Sequence, residues 1–437
     1  MPSGALNIIK TLQSNGHQAY LVGGCVRDLL LGLEVKEWDI TTSAKPDEVG
    51  RLFHKVVPTG IDYGTVTALV DGGTYEVTSF RADEQYVDGR HPSNVVFCAD
   101  LHQDLSRRDF TINALAYDPL ADDLVDDHNG QADLKKKLIR AVGDPVARFS
   151  EDGLRSVRAC RFAAKLGFAI EKGTLAAIPK TLATTRKVAP ERIHDELVKL
   201  LAADRPSAGF ELMRQTGLLK LILPELEHCL GVEQPPNFHK YDVYWHSLYA
   251  CDAAPKDNLV LRLSALLHDI AKPDCKVDDT FYNHDKVGAA TAENILRRLK
   301  FSNQIFKQVS NLVSHHMFNY TSEWSDAAVR RFIRRVGGPE NIKDLFALRL
   351  ADTSAMEREI DSQYLVELQT RIDKIIAQQH ALDVADLKIN GEDVMLQLNI
   401  PAGPRVGQVL HTLLEKVLDD PQLNERETLL KLIKENA

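Results

Sequence analysis

No two of the six cysteines form a CxxC pair: Cys25, Cys98, Cys160, Cys229, Cys251 and Cys275 are scattered along the chain. That spacing excludes a zinc ribbon and argues against a disulfide framework, so a reducing compartment is expected. The first residues show no basic stretch followed by an apolar run, and no secretory signal is expected. No apolar run is long enough to span a bilayer. There is no repeat of fixed period and no low-complexity segment. Positive charge is in deficit, with 53 Lys and Arg against 62 Asp and Glu and a formal net charge of −9. An RNA partner would therefore need a local basic surface, because the field of the whole chain repels phosphate. These absences lead to the expectation of a cytoplasmic protein with no membrane partner; monomer and homodimer are both left open.

What is present is a chain of 437 residues, 44% hydrophobic, enough for two to four packed domains. Residues 1–139 read as α/β. Strands are expected at Ala19–Val22, Trp38–Ile40, Thr65–Val70, Tyr75–Phe80 and Ala114–Tyr117, with a helix at Asp47–Phe53. From Glu151 the periodicity turns helical, as in Arg192–Ala202, Leu259–Ile270, Glu293–Leu299 and Val406–Leu418. Polar or Pro/Gly-rich breaks fall at 231–237, 272–280 and 337–341. The expected architecture is an α/β head, a mixed sheet with helices, followed by an all-α arm.

Three blocks in the head carry chemistry. In Leu21-Val-Gly-Gly-Cys-Val-Arg-Asp a strand runs into Gly23 and Gly24, and a helix opens near Arg27. Glycines admit close backbone approach, and N–H groups at a helix start favour a triphosphate. Taken alone, such a turn is more often only a turn. Glu37-Trp38-Asp39 places two acids at i and i+2 of a strand, facing one way. Paired acids are costly unless a cation joins them. Glu76 is a candidate third oxygen donor; the alternative is three solvated strand-end acids. In Arg107-Arg108-Asp109-Phe-Thr-Ile-Asn113 the arginines could clamp phosphate, and Asp109 could accept from a ribose hydroxyl. Further on, Asp152 and Arg155 of Glu151-Asp152-Gly-Leu-Arg155 stand i and i+3, which predicts neighbours on one helix face. Arg158 and Arg161 extend that side, as phosphate contacts or as a solvated face. Lys135-Lys136-Lys137 and the set Arg330, Arg331, Arg334 and Arg335 read as solvated faces more readily than as RNA sites.

The order of these blocks resembles class II tRNA nucleotidyltransferases and bacterial poly(A) polymerases, of the DNA polymerase beta superfamily, over at least residues 18–225. The resemblance implies a head at 1–139, a neck at 140–222, a body at 223–360 and a tail at 361–437. It implies Mg²⁺ on Glu37 and Asp39 with Glu76 beside them. Gly24, Arg27, Arg107, Arg108, Asp109, Asn113, Asp152, Arg155, Arg158 and Arg161 would then hold the nucleotide. It implies tRNA, CTP and ATP as partners, and CMP, CMP and AMP as the units added without a template. Asp152 and Arg155 would read the base. Cytosine and adenine both offer an amino group beside an acceptor nitrogen, whereas uracil and guanine offer a carbonyl and an N–H. One departure stands out. The family has Asp at the first metal position and this chain has Glu37, whose extra methylene shifts the oxygens by about an ångström, which Mg²⁺ tolerates poorly.

In the arm, His246, His268-Asp269 and Asp352 resemble the ligand set of HD phosphohydrolases, down to His268-Asp-Ile-Ala-Lys272. Carried over, these four would bind a divalent transition metal such as Ni²⁺ or Mn²⁺. His284, His315 and His316 could hold a second ion or a substrate phosphate. The alternative is an inert cluster whose polar groups bond only one another. The tail at 386–437 resembles the family's tRNA-elbow segment, with plain packing an equal reading. Four activities are thus open: a full CCA-adding enzyme, a CC- or A-adding specialist, a poly(A) polymerase, and a phosphohydrolase with an inert RNA-binding head. The full length of segment 81–104, matching a loop that switches C to A addition, argues against a C-only enzyme.

Overall fold

The computed structural model describes residues 1–61, 64–83, 95–98, 100–235, 240–356, 362–378 and 380–435. The chain divides into two compact units, Met1–Glu227 and His228–Ala437. The middle of segment 81–104 lies outside the described residues.

The first unit is built on a seven-stranded sheet with the order β3-β4-β5-β2-β1-β8-β9. Its strands are β1 (Ala19–Val22), β2 (Asp39–Thr42), β3 (Val56–Gly60), β4 (Thr65–Val70), β5 (Gly73–Ser79), β8 (Ala116–Asp118) and β9 (Asp123–Val125). A two-stranded ribbon pairs β6 (Arg81–Asp83) with β7 (Val95–Phe97). The alternation in β5 explains its place: Tyr75, Val77 and Ser79 are buried while Glu76 faces out. Helix Ser3–Ser14 closes one side by burying Ile8, Ile9 and Leu12. After Asp144 this unit is almost wholly helical. Leu154–Leu166 buries ten of its thirteen residues and is its central rod.

The second unit is all α. Buried Leu261, Val329, Phe332, Leu345, Leu348 and Leu368 belong to one core. Val394, Leu413, Leu414, Val417 and Leu429 belong to another, formed by the last helices. The arginines of helix Asp326–Arg335 are a solvated face only in part: Arg331 and Arg335 are exposed, while Arg330 is buried. Arg330 Nε donates to the Leu418 carbonyl at 2.7 Å, capping the end of helix Pro404–Asp419. Arg331 and Arg334 pair with Glu415. Among the described residues no helix is long and apolar enough to cross a membrane. All six thiols are free; Cys98 and Cys275 are partly exposed and the other four are buried.

Candidate active sites in the head and the body

The head site starts from the turn after β1. Gly23 has φ +75°, which favours glycine, and a Cβ there would lie 3.0 Å from the tip of the Arg108 side chain. The helix opens at Gly24, three residues earlier than the sequence suggests. Glu37 precedes β2 rather than lying in it, and is exposed; the strand begins at Asp39. The expectation that both acids share one strand face is therefore corrected. The partner on the sheet is Glu76, which stands opposite Asp39 in the parallel β2–β5 register. Burial, then the negative charge of Glu76, raises the Asp39 carboxyl to about 6; Glu37 adds to the rise, and Arg108 and Arg27 oppose it. The charges of Glu76 and Glu37 are thus both felt at Asp39, which a nearby cation would relieve.

Behind the acids runs a continuous chain of hydrogen bonds. Arg27 is buried and donates to Asn113 Oδ1 at 2.7 Å. Asn113 Nδ2 donates to Asp109 Oδ1 at 3.1 Å, and Asp109 Oδ2 takes Arg158 Nε at 2.8 Å. Burial raises the Asp109 carboxyl, but Arg158 and its other donors outweigh this and bring it to about 2. Glu196, buried in helix Pro190–Leu201, pairs with Arg158 at 3.4 Å and closely with Arg161. Arg107 and Arg108 both pair with buried Asp104, at 2.8 and 3.1 Å.

Asp152 and Arg155 do not share a helix face. Asp152 is extended, at φ −142° and ψ 108°, closing one helix before the next begins at Leu154. Its Oδ1 accepts Leu154 N–H at 3.0 Å, which competes with helical geometry. Arg192 grips the carboxylate from helix Pro190–Leu201 at 3.0 and 2.7 Å. Arg155 is held by Glu151 at 2.6 Å and by the Arg107 carbonyl at 3.1 Å. Gly153 permits the turn, since a Cβ there would meet Thr185 Cα at 2.5 Å. Sequence reading missed Glu151, Arg192, Glu196 and Asp104. The available signals were local spacings: Glu151 stands i, i+4 from Arg155, and Asp104 i, i+3 and i, i+4 from Arg107 and Arg108.

The body cluster is far denser. His268 and Asp269 follow the end of helix Leu259–Leu267 instead of lying within it. His246 Nε2 lies 3.0 Å from Asp352 Oδ1 and 3.2 Å from His268 Nε2. His284 Nε2 lies 3.4 Å from Asp269 Oδ1 and 3.3 Å from His316 Nε2. All six groups are buried, and they form two sets of possible ligands: His246, His268 and Asp352, and Asp269, His284 and His316. The Nδ1 atoms of His268, His284 and His316 face the carbonyls of Ala265, Phe281 and Val313 at 2.8, 2.6 and 2.7 Å. A carbonyl only accepts, so each Nδ1 donates, and each neutral ring turns an Nε2 lone pair inward. Among the described residues Asp269 Oδ1 accepts no well-formed hydrogen bond, His284 Nε2 being its near neighbour at 3.4 Å. Lone pairs facing carboxylates call for a cation. Burial opposes charge on His268, but Asp269 and Asp352 raise its imidazole to about 10, so a proton fills the place when no metal does. His315 does not join; its Nδ1 turns to the Asn311 carbonyl at 2.8 Å.

Residues 19–140 match the poly(A) polymerase head domain family, 167–230 the family described as an RNA and SrmB-binding site of polymerase A, and 282–433 the tRNA nucleotidyltransferase domain 2 family. The CCA-adding enzyme of Limosilactobacillus fermentum is 34% identical over 97% of this chain and 94% of its own length. The chain belongs to the CCA-adding enzymes. That of a Geobacillus strain is 34% identical over 95% of the chain and 92% of its own length. The crystal structure of the Bacillus stearothermophilus CCA-adding enzyme in complex with CTP superposes with a TM-score of 0.76, at 27% identity, covering 100% of this chain and 98% of that one. Membership makes this a tRNA nucleotidyltransferase that depends on divalent metal.

Proposed function

We propose that the chain adds CMP, CMP and AMP in turn to the 3′ end of tRNA from CTP and ATP, releasing pyrophosphate, in the cytoplasm. The observation that carries this reading is the Arg27–Asn113–Asp109–Arg158–Glu196 network, which ties the acid-bearing sheet to the helix that holds Arg155. Asp39, Glu37 and Glu76 would hold Mg²⁺. Bound there, Mg²⁺ lowers the pKa of the RNA 3′-hydroxyl and stabilises the leaving pyrophosphate. The Gly23-Gly24 turn, Arg27, Arg107 and Arg108 receive the triphosphate, and Asp109 with Asn113 lies at the sugar. A carboxylate has about four lone-pair sites. Arg192 and Leu154 N–H take three on Asp152, leaving one for a base amino group. Arg155 donates to the neighbouring ring nitrogen. Arg158 and Arg161 set its helix against Glu196. The division into head, neck, body and tail at 139, 222 and 360 belongs to the same reading.

A second reading rests on the body's two ligand sets. We infer a divalent transition metal there, Ni²⁺, Mn²⁺ or similar, and hydrolysis of phosphomonoesters or 2′,3′-cyclic phosphates. Such a metal supplies a polarised phosphoryl oxygen and an activated water. His246, His268, Asp269 and Asp352 hold it, and His284 and His316 complete the second set.

Incubation with tRNA lacking its end, with CTP, ATP or both, decides the main reading. Two added residues with CTP and three with both are expected. A long tail from ATP alone identifies a poly(A) polymerase. No addition under any mixture, with hydrolysis intact, identifies a phosphohydrolase on an inert head.

A further inference from the structure

Helix Leu154–Leu166 carries four cations, Arg155, Arg158, Arg161 and Lys165. The last three stand at i, i+3 and i+7, which puts them in one stripe along the helix. Each arginine is spent on the protein itself: Arg155 on Glu151, Arg158 on Asp109 and Glu196, and Arg161 on Glu196. Lys165 is exposed, and it makes no hydrogen bond or ion pair among the described residues.

The stripe runs down to the helix Gly24–Leu30 of the head. The ring of Phe162, one turn before Lys165, has the Arg27 guanidinium 5.1 Å from its centre. Arg27 is in turn paired with Asp28 at 2.7 Å. Burial, then Arg27, holds the Lys165 ammonium below its ordinary range; Arg161 adds to this, while Asp28 and Glu37 pull it back. Both acids that act on it are committed elsewhere, Asp28 to Arg27 and Glu37 to the metal. A cation that has given up part of its water without gaining a partner is held at a cost until an anion arrives.

Two kinds of phosphate enter the head, the triphosphate of the nucleotide and the backbone of the RNA. The triphosphate is served by the Gly23-Gly24 turn, Arg107 and Arg108, and neither of these arginines is among the charges that act most on Lys165. In-line transfer places the leaving pyrophosphate and the attacking 3′-hydroxyl on opposite sides. With the pyrophosphate toward Gly23-Gly24, the cation beside the exposed leading acid Glu37 falls to the RNA. An ammonium on a flexible stem also suits an RNA end that shifts by one nucleotide after each addition, where a guanidinium fork fixes one geometry. In a chain of net charge −9 such a local cation is what an RNA end requires.

We propose that Lys165 binds the backbone phosphate linking the last two nucleotides of the entering RNA, just before the attacking 3′-hydroxyl. This rests on the nucleotide-adding reading above and adds to it a contact with the primer.

The test uses the full chain with Mg²⁺, CTP and tRNA lacking its end, in single-turnover addition of the first CMP. Lys165→Met keeps the stem and removes the charge. It should raise the half-saturating tRNA concentration about tenfold and leave that of CTP unchanged. It should also flatten the slope of log affinity for tRNA against log salt by about 0.7–1. Lys165→Arg should restore both the affinity and the slope in this first addition. A tRNA carrying one methylphosphonate in place of the phosphate between its last two nucleotides should bind the parent protein about as weakly as Lys165→Met binds the unmodified tRNA, and should cost that variant little more. Equal losses for parent and variant on the substituted tRNA overturn the proposal. So does a rise in the half-saturating CTP concentration in place of that for tRNA, which assigns Lys165 to the triphosphate. Parent protein that adds CMP, with Lys165→Met indistinguishable from it, overturns this inference alone; parent protein that adds no CMP overturns the nucleotide-adding reading itself.

Discussion

Asp39 in the head and Asp269 in the body both gather other ionisable groups, but their surroundings are opposite. Asp39 has Glu76 beside it on the sheet and exposed Glu37 ahead of it, and its carboxyl rises to about 6. Asp269 is buried; burial pushes it up, but His268 and Lys272 hold it well below the usual carboxylate range. The head is an acidic patch short of cations and open to water. The body is a buried set of nitrogen and oxygen donors beside a cavity, and it supplies its own positive charge. An open oxygen site suits Mg²⁺, which keeps several waters and is bound largely through substrate phosphates. A buried imidazole-rich site suits a resident transition metal. If the body is the hydrolytic centre proposed above, the two sites would compete little for metal.

The sharpest way to break this contrast is reciprocal mutation. Asp39→Ala should lower single-turnover CMP addition by on the order of a thousandfold or more, since several kcal/mol of charge stabilisation go with the metal. Bound transition metal and phosphate-ester hydrolysis should be unchanged. His268→Ala with Asp269→Ala should strip the metal and the hydrolysis and spare addition. Loss of both activities in either variant would mean the centres are one.

A smaller effect is expected in the neck. Asp152→Ala should raise misincorporation of UMP and GMP by roughly ten- to a hundredfold, because a good base-edge contact discriminates by about 1–3 kcal/mol. tRNA affinity should hardly move. Unchanged selectivity in sequenced products would remove Asp152 from base reading.

The smallest effect concerns stability without metal. Burial and the charge of Glu76 raise the folded carboxyl of Asp39 from its ordinary 3.8 to about 6. A raised carboxyl favours the folded state below its unfolded pKa, and that advantage is lost as pH rises toward 6. In chelator, Asp39→Asn should therefore raise the melting temperature at pH 7, by on the order of 1–3 kcal/mol of stability, and do little at pH 4. Added Mg²⁺ should stabilise the parent protein and not the variant. Equal melting at pH 7 would show that Asp39 is not strained by its neighbours.

The sequence made the sheet legible where strands alternate or run apolar: Thr65–Val70 and Ala19–Val22 lie where the pattern puts them. It misled where side chains rewrite the backbone. Asp152 accepts Leu154 N–H and breaks the helix that its spacing with Arg155 implied. The doublet His268-Asp269 was legible as chemistry, while its position past the helix end was not, because the apolar run continues through Ile270. Glu196 was invisible, since its pairing with Arg158 across 38 residues leaves no local mark, whereas Asp104 stands only three and four residues from its partners Arg107 and Arg108. Arg330 read as surface because its acceptors are carbonyls 88 and 89 residues away.

The free thiols offer a ruler. Four are buried, and burial pushes Cys160 and Cys251 up to about 12, so labelling reagents at neutral pH should pass them by. The partly exposed pair, Cys98 and Cys275, falls one to each compact unit. Burial and nearby acids lift both thiols above their usual range, so a mildly alkaline reaction is needed. The unmodified chain thus carries its own attachment points for a donor and an acceptor dye. Energy transfer between them would follow the distance from the nucleotidyltransferase unit to the helical unit through each round of addition.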